Sequence, residues 1–462
     1  MRPENATPTI ARGVCVYPPV PERGLVSPHP AVAKVLEEAG LDAENPFGPW
    51  IRPGMRVLIK PNWVRHAAEG WAVLEALTTH PSIIRPVVEF AARALRNGDG
   101  QYEGQIILAD APLQSADFDL MMKQSAIEPL LAHWRAAGLP VVLADLRRTI
   151  ATTDDSTAVV HAVRPAPGDP RGDTVVDLGT SSRLESLEKG AGGLGVPNYD
   201  NLQTSAHHGE GKHRYRIANS LLESDVVINL PKWKTHVKTG VTGALKNFIG
   251  VNCDKAYLPH FRVGAPAKGG DEYPDSMAVA WLARLRPYVE QFLPTGLLRT
   301  ARRSLLSATH AIDKPLVFGG AWPGNDTLWR TVHDMVFIAK WLGPGGAKLS
   351  SPRPILTLLD AIVAGEGDGP LRPEARAMNT LVFGTDPGQI DVFAAALSGF
   401  DWRAIPLLAN LAGPESRPIT FFDELQPLPA PQLFLKAPST WSDVLPVETS
   451  TLLNRSPELE AA

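Results

Sequence analysis

Residues 225–250 read DVVINLPKWKTHVKTGVTGALKNFIG. The stretch opens on Val226, Val227 and Ile228, a branched apolar run that predicts a buried strand. The run ends at Asn229-Leu230-Pro231, and a proline there stops the ladder. Lys232, Lys234, Thr235, His236 and Lys238 follow in what reads as a loop. Then comes the glycine-spaced GVTGALKN, with Lys246 and Asn247 at its end. In open α/β sheets, ligands lie beyond the carboxyl ends of the strands. The segment therefore predicts an α/β protein whose site follows this strand. The plainer alternative is a solvated basic loop, because charge runs are usually surface.

On either side the same pattern of apolar run and polar stop recurs. Residues 55–60 end at Pro61-Asn62, residues 105–108 run into Asp110-Ala111-Pro112, and residues 354–359 end at Asp360. A helix is predicted from Pro81 to about Leu95, where Ile83, Ile84, Val87, Val88, Ala91 and Leu95 recur at helical spacing. Another runs to about Ala137, before a strand at 141–146. Such alternation implies a parallel sheet with covering helices. Further on, 159–163 and 174–178 read as short strands of a hairpin, 216–222 as a short helix and 251–275 as a long loop. An amphipathic helix is predicted at 277–292, a basic one at 296–310 (Arg299, Arg302, Arg303) and a third at 327–341. A strand at 380–383 leads to a helix ending near Leu397.

The expected fold is α/β, with mostly parallel sheets and covering helices, in two α/β lobes with a site between them. Residues 1–54 would be an N-terminal arm with one helix at 30–39. Residues 55–223 would be the first lobe, with an excursion at 151–215. Residues 224–412 would be the second, and 413–462 a proline-rich tail.

Composition narrows the function classes. Hydrophobic residues make up 44% and charged residues 20%, the profile of a globular protein with a sizeable core. A net charge of −4 gives no sign of nucleic-acid binding. Two cysteines, Cys15 and Cys253, are too few for an iron–sulfur cluster or a disulfide framework. The N-terminus lacks an apolar signal and no run approaches a membrane span, so a cytoplasmic location is expected. Whether the chain forms a homo-oligomer is left open.

If the strands are parallel, Lys60, Asn62, Asp110, Lys232 and Asp360 crowd one rim. Each alone could be a turn residue, but independent turns need no matched charge. In GVTGALKN the glycines would let backbone N–H groups approach an anion, although the Walker A pattern is absent. His236, among lysines, would have its neutral base form favoured, which suits proton abstraction. GAGGLG at 190–195 fits G-x-G-x-x-G literally but follows a polar stretch, not a strand, which argues against a dinucleotide site. His207, His208 and His213 lack a partner carboxylate spacing and read as a solvated loop. Asp386 suits an N-cap. Asp391, among apolar neighbours, is harder to assign.

INLPKWKTHVKTGVTGALKNFIG, together with LLDAIVAGEGDGP, GTDPGQIDVFAAALSGFD, IKPNWV and DAPLQS, resembles the domain of unknown function 362 family. The likeness runs from about Lys60 to Asp401. Many members carry a ferredoxin-like segment with cysteine clusters, which this chain lacks. THVKTGVTGALK is more distantly similar to a segment of the lactate racemase family, which uses a nickel-pincer nucleotide. There a catalytic histidine precedes the cofactor-holding lysine by ten residues, the separation between His236 and Lys246 here. The paired glycines before that lysine are Ala244-Leu245, and no second catalytic histidine is evident.

These readings converge on an enzyme for a small anionic metabolite, a carboxylate or phosphate. His236 would be the base, with Lys246 and Asp110 in the catalytic set. Lys60, Asn62, Gln114, Asn229, Lys232, Lys234, Thr235, Gly243, Asn247, Asp360 and Glu366 would bind substrate. The cofactor is unassigned: the more distant resemblance allows a nickel-pincer nucleotide, the carboxylates allow a divalent metal, no iron–sulfur cluster is expected, and no metal ligands are assigned. Two alternatives stand. One is metal-dependent hydrolysis or phosphoryl transfer on Asp110, Asp360 and Glu366. The other is a non-catalytic binding or scaffold protein of an iron–sulfur family without its cluster.

Overall fold

The computed structural model describes residues 9–12, 16–20, 24–67, 71–153, 160–187, 193–197, 201–275, 317, 319–371, 373–411 and 433–445. Its centre is one nine-stranded sheet. The strands are β1 (Thr9–Arg12), β2 (Arg56–Pro61), β3 (Gln105–Asp110), β4 (Val141–Asp145), β5 (Val226–Leu230), β6 (Lys232–His236), β7 (Gly240–Thr242), β8 (Ile355–Glu366) and β9 (Glu374–Gly384). They lie in the order β1-β9-β8-β5-β2-β3-β4, with β6 pairing β8 and β7 pairing β6. The run from β8 to β4 is parallel, while β9 and β1 add antiparallel edges. The fold is α/β with a mostly parallel sheet, as expected.

Burial on both faces explains the apolar runs. Val57, Ile59, Val226 and Ile228 face one hydrophobic layer, under the helices Pro30–Glu38, Pro81–Ala94 and Ile127–Ala136. Leu58 and Val227 face the other, under Leu328–Trp341 and Pro387–Leu397.

Several expectations change. Strands of both expected lobes share this sheet: β5 pairs β2 in register from Val226↔Val57 to Leu230↔Pro61. The lysine-rich stretch after β5 is a buried strand, β6, and not a solvated loop. β8 runs through Asp360 to Glu366 instead of stopping. The excursion forms two ladders: Thr149–Thr153 pairs Val160–Pro165, and Asp173–Asp177 pairs Lys212–Ala218. The helix expected at 216–222 is only Asn219–Leu222, because the preceding residues belong to that ladder. The helices expected at 277–292 and 296–310 lie outside the described residues.

From the tail, residues 433–445 pack onto the β8–β9 turn. The Ser439 N–H donates to Asp368 (2.7 Å), and the Trp441 indole N–H donates to the Val237 carbonyl (2.8 Å). No helix among the described residues is long and apolar enough to cross a membrane.

Candidate functional site

The carboxyl ends of β2 and β3 and the short helix Ala244–Asn247 are tied by one hydrogen-bond network. Lys60 Nζ donates to Asp110 Oδ1 (2.7 Å), Asn247 Oδ1 (3.1 Å) and the Pro61 carbonyl (3.1 Å). Asp110 Oδ2 accepts from the Trp63 N–H (2.7 Å). Asn247 Nδ2 donates to Asn229 Oδ1 (2.8 Å), and Asn229 Nδ2 donates to the Ala244 carbonyl (3.0 Å). Burial raises the Asp110 carboxyl and lowers the Lys60 amine, while their contact opposes both shifts and holds an ion pair.

Two glycines are needed here for side chains to approach, not for a ligand. A Cβ on Gly250 would lie 1.9 Å from Asp110 Oδ1 and 2.7 Å from Lys60 Nζ, and one on Gly243 would lie 2.0 Å from Asp391 Oδ1. Asp391 is fully buried and accepts the N–H groups of Ala244 (2.6 Å) and Leu245 (3.0 Å), so it fixes the start of the Lys246-bearing helix. That settles the role of Asp391. Asp386 is the N-cap of its helix, as expected.

Above the network is a cavity of about 480 Å³. Among the described residues, Lys60, Lys234, Lys238, Lys246 and Lys255 line it with His236 and His260, beside two carboxylates, Asp110 and Asp368. Lys234 Nζ is tied down by Asn62 Oδ1 (2.6 Å) and the Leu77 carbonyl (2.5 Å). Lys238 Nζ donates to the Gly319 carbonyl. Among the described residues, Lys246 and Lys255 have neither hydrogen bond nor ion pair, and both are half-buried on the cavity wall. Burial and then the neighbouring Lys255 and Lys238 bring the Lys246 amine down to about 7. Burial brings Lys255 to about 8 against the opposing pull of Asp110.

The two histidines differ in tautomer. His236 Nδ1 accepts the backbone N–H groups of Lys238 (3.0 Å) and Thr239 (3.3 Å), so in the neutral ring the proton sits on Nε2. His260 Nδ1 contacts the Leu258 carbonyl at 2.6 Å, and a carbonyl only accepts. His260 therefore carries its proton on Nδ1 and offers a lone pair at Nε2. Burial, aided by nearby lysines, holds both imidazoles well below the ordinary histidine value and so neutral. One cavity thus holds an imidazole N–H donor and an imidazole lone pair. A base role for His236 does not fit its hydrogen bonds.

A family model described as a domain of unknown function, DUF362, matches residues 149–396, more than half of the chain. The chain belongs to the DUF362 family. No curated protein matches it. A crystal structure of a Thermotoga maritima protein is 12% identical, over 80% of this chain and 56% of that one, with a TM-score of 0.30. The chain therefore spans little more than half of that protein, and the likeness is too slight to argue from. These matches do not show the likeness to lactate racemases.

The DUF362 match contains His236, Lys246, Lys255 and His260, whereas Lys60, Asn62, Asp110 and Gln114 precede it. Of the residues expected in the site, the cavity gathers these last four with Lys234, His236, Lys246 and Asn247. Asn229, Lys232, Thr235, Gly243, Asp360 and Glu366 are off its wall. Lys232 is fully buried against Asp360 (3.2 Å) and Tyr17. Thr235 Oγ1 donates to the Gly367 carbonyl (2.7 Å), and Glu366 accepts the Lys436 N–H (2.9 Å). Asp110, Asp360 and Glu366 thus sit in three separate places. No group of three histidine, cysteine, aspartate or glutamate side chains among the described residues is placed to hold a metal. Among the described residues the donor set does not fit a divalent metal, which needs several such side chains, and His236 presents an N–H where a metal ligand needs a lone pair.

Sequence reasoning passed over Lys238, Lys255 and His260. Lys238 was visible in the same charge run. His260 comes in because Phe261–Arg262 pairs with Leu194–Gly195 and the His260 N–H donates to the Gly195 carbonyl (2.8 Å), neither of which the local sequence signals.

Proposed function

We propose that the chain is an enzyme that moves a proton on a small, multiply charged anion, a carboxylate or phosphate ester. The observation that carries this reading is the pair of imidazoles fixed in opposite tautomers over one cation-lined cavity. Lys246 and Lys255, the cavity lysines without partners among the described residues, meet the anion, with Lys234 behind them. His260 Nε2 takes the proton from the carbon beside the carboxylate. The enolate-like charge that develops falls to the His236 Nε2–H and the lysines, an arrangement set before the reaction begins. Asp110 acts through Lys60 and Asn247, as a positioning residue. Isomerisation, epimerisation and elimination all share this first step.

The test is hydrogen exchange. Malate, tartrate and 3-phosphoglycerate are incubated with the protein in D₂O, and proton NMR follows the signal beside each carboxylate. Exchange is expected with at least one of them, with His260→Gln slowing it by about a hundredfold or more and His236→Gln by a similar factor. Binding without exchange in the native protein would instead make it a binding protein.

A further inference from the structure

We propose that the substrate carries a carbonyl group and that Lys246 captures it as an imine, so that the chain acts on a 2-oxo acid or an anionic aldehyde. This rests on the anion-binding reading of the same cavity. Three observations lead to it. Lys246 opens on the cavity and, among the described residues, has no hydrogen-bond or ion-pair partner to hold its proton. Its helix is anchored from beneath by Asp391 at 2.6 and 3.0 Å and by Asn247 on Asn229 at 2.8 Å, so the amine projects from a fixed base. Its neighbours are cations, the arrangement that activates an amine for attack on a carbonyl. Lys60 is spent on Asp110, Lys234 on Asn62 and Lys238 on Gly319. Lys255 is left for the substrate's charged group and Lys246 for its carbonyl.

The step balances with the residues present. The Nζ lone pair of neutral Lys246 forms the C–N bond, and the carbonyl π pair moves to oxygen under the His236 Nε2–H. His260 Nε2 accepts one Nζ proton and passes it to that oxygen. The nitrogen then closes the C=N bond as the C–O bond breaks. The second Nζ proton follows by the same route, and the oxygen leaves as water. The imine then draws electrons from the neighbouring carbon, which makes the adjacent proton easier for His260 to remove.

The test uses glyoxylate and pyruvate, which are small enough for the cavity, with sodium cyanoborohydride to reduce any imine to a stable amine. Peptide mass mapping locates the adduct. An amine near 7 is neutral at neutral pH about a thousand times more often than an ordinary lysine, by roughly the pKa difference. Allowing for its lower basicity, labelling at Lys246 should exceed that at any surface lysine by about tenfold. Oxalate, which fills the anion site without a carbonyl to capture, should suppress it. Lys246→Arg should abolish that adduct and leave the background labelling of other lysines unchanged. Labelling spread evenly over surface lysines, or absent from the native Lys246 peptide while oxalate still stabilises the protein to heat, overturns the imine and leaves the anion reading standing. Absence of both the adduct and oxalate stabilisation overturns the two together.

Discussion

Lys232 and Lys255 are both lysines at the heart of this molecule, and they are held in opposite ways. Lys232, at the start of β6, is fully buried, 3.2 Å from Asp360, with Tyr17 hydrogen-bonded to both. Tyr17 stacks flat on His80 with ring centres 3.8 Å apart, so the N-terminal arm closes the cluster. Every charge there is answered. Four residues along the same strand, His236 faces a cavity where Lys246 and Lys255 have no answering group among the described residues. A charge matched inside the protein holds the fold together, and a charge left unmatched on a cavity wall waits for something from outside. On this measure Lys232 and Asp360 belong to the architecture, and the proposed chemistry falls to Lys246 and Lys255.

The largest effect that would break the contrast is at Asp360. Asp360→Asn leaves the Lys232 ammonium buried without its counter-charge, and breaking one side of such a pair costs about 3–5 kcal/mol. Chemical denaturation should show that loss, while oxalate affinity of the folded fraction stays unchanged. A large drop in that affinity, with stability intact, would move Asp360 into the site.

Asp391 is an answered charge of another kind, satisfied by backbone N–H groups. Asp391→Ala leaves two buried donors unpaired at a cost of about 1–3 kcal/mol. Burial pushes its carboxyl up to about 7, against about 3.9 in the unfolded chain. Between those values the folded state holds a proton that the unfolded state has lost. The group's contribution to stability therefore falls as pH rises through that window. Urea denaturation at pH 5 and pH 7 should show this decline in the native protein, and Asp391→Asn should remove it.

The division between answered and unanswered charge was only partly legible in the sequence. Val226–Ile228 and the strand ends at Lys60, Asn62 and Asp110 could be read because double-sided burial and rim chemistry leave local marks. KWKTH could not. Its alternation of lysine and apolar or small residues looks solvated, yet Trp233 enters the core on one face, its indole N–H donating to Ser398 (2.8 Å), while Lys234 and His236 turn to the cavity. Lys232 and Lys234 look equivalent in sequence. They part company because Tyr17, 215 residues away, reaches one of them, and a register shift separates their pairing with β8. His260 depended on a ladder with Leu194–Gly195. In each case the deciding partner is distant in the chain, and local patterning carries no trace of it.

On the unanswered side, the pH dependence of anion binding sharpens the contrast. Lys255, at about 8, must be charged to hold oxalate. Oxalate affinity should be highest below that value and fall by about tenfold per pH unit above it, for each lysine that has to take up a proton. Titration calorimetry at pH 6 and pH 9 checks this, and Lys255→Met should flatten the slope. An affinity independent of pH would mean that these amines do not carry the anion.

The smallest effect has the opposite sign. Asp368 lies on the cavity wall, but its side chain is exposed and Oδ1 accepts the Ser439 N–H at 2.7 Å. Unlike Asp110, it has no lysine hydrogen-bonded to it among the described residues, so it repels an incoming anion from the wall. Solvent screens that repulsion, and exposed charge interactions are worth under about 1 kcal/mol. Asp368→Asn keeps an oxygen for the Ser439 N–H and removes the charge, so oxalate should bind about twofold tighter at low salt, with the gain fading as salt is added. A loss of affinity instead would mean that Asp368 acts by placing the β8–β9 turn against the cavity, and an exposed carboxylate would then belong with the answered charges.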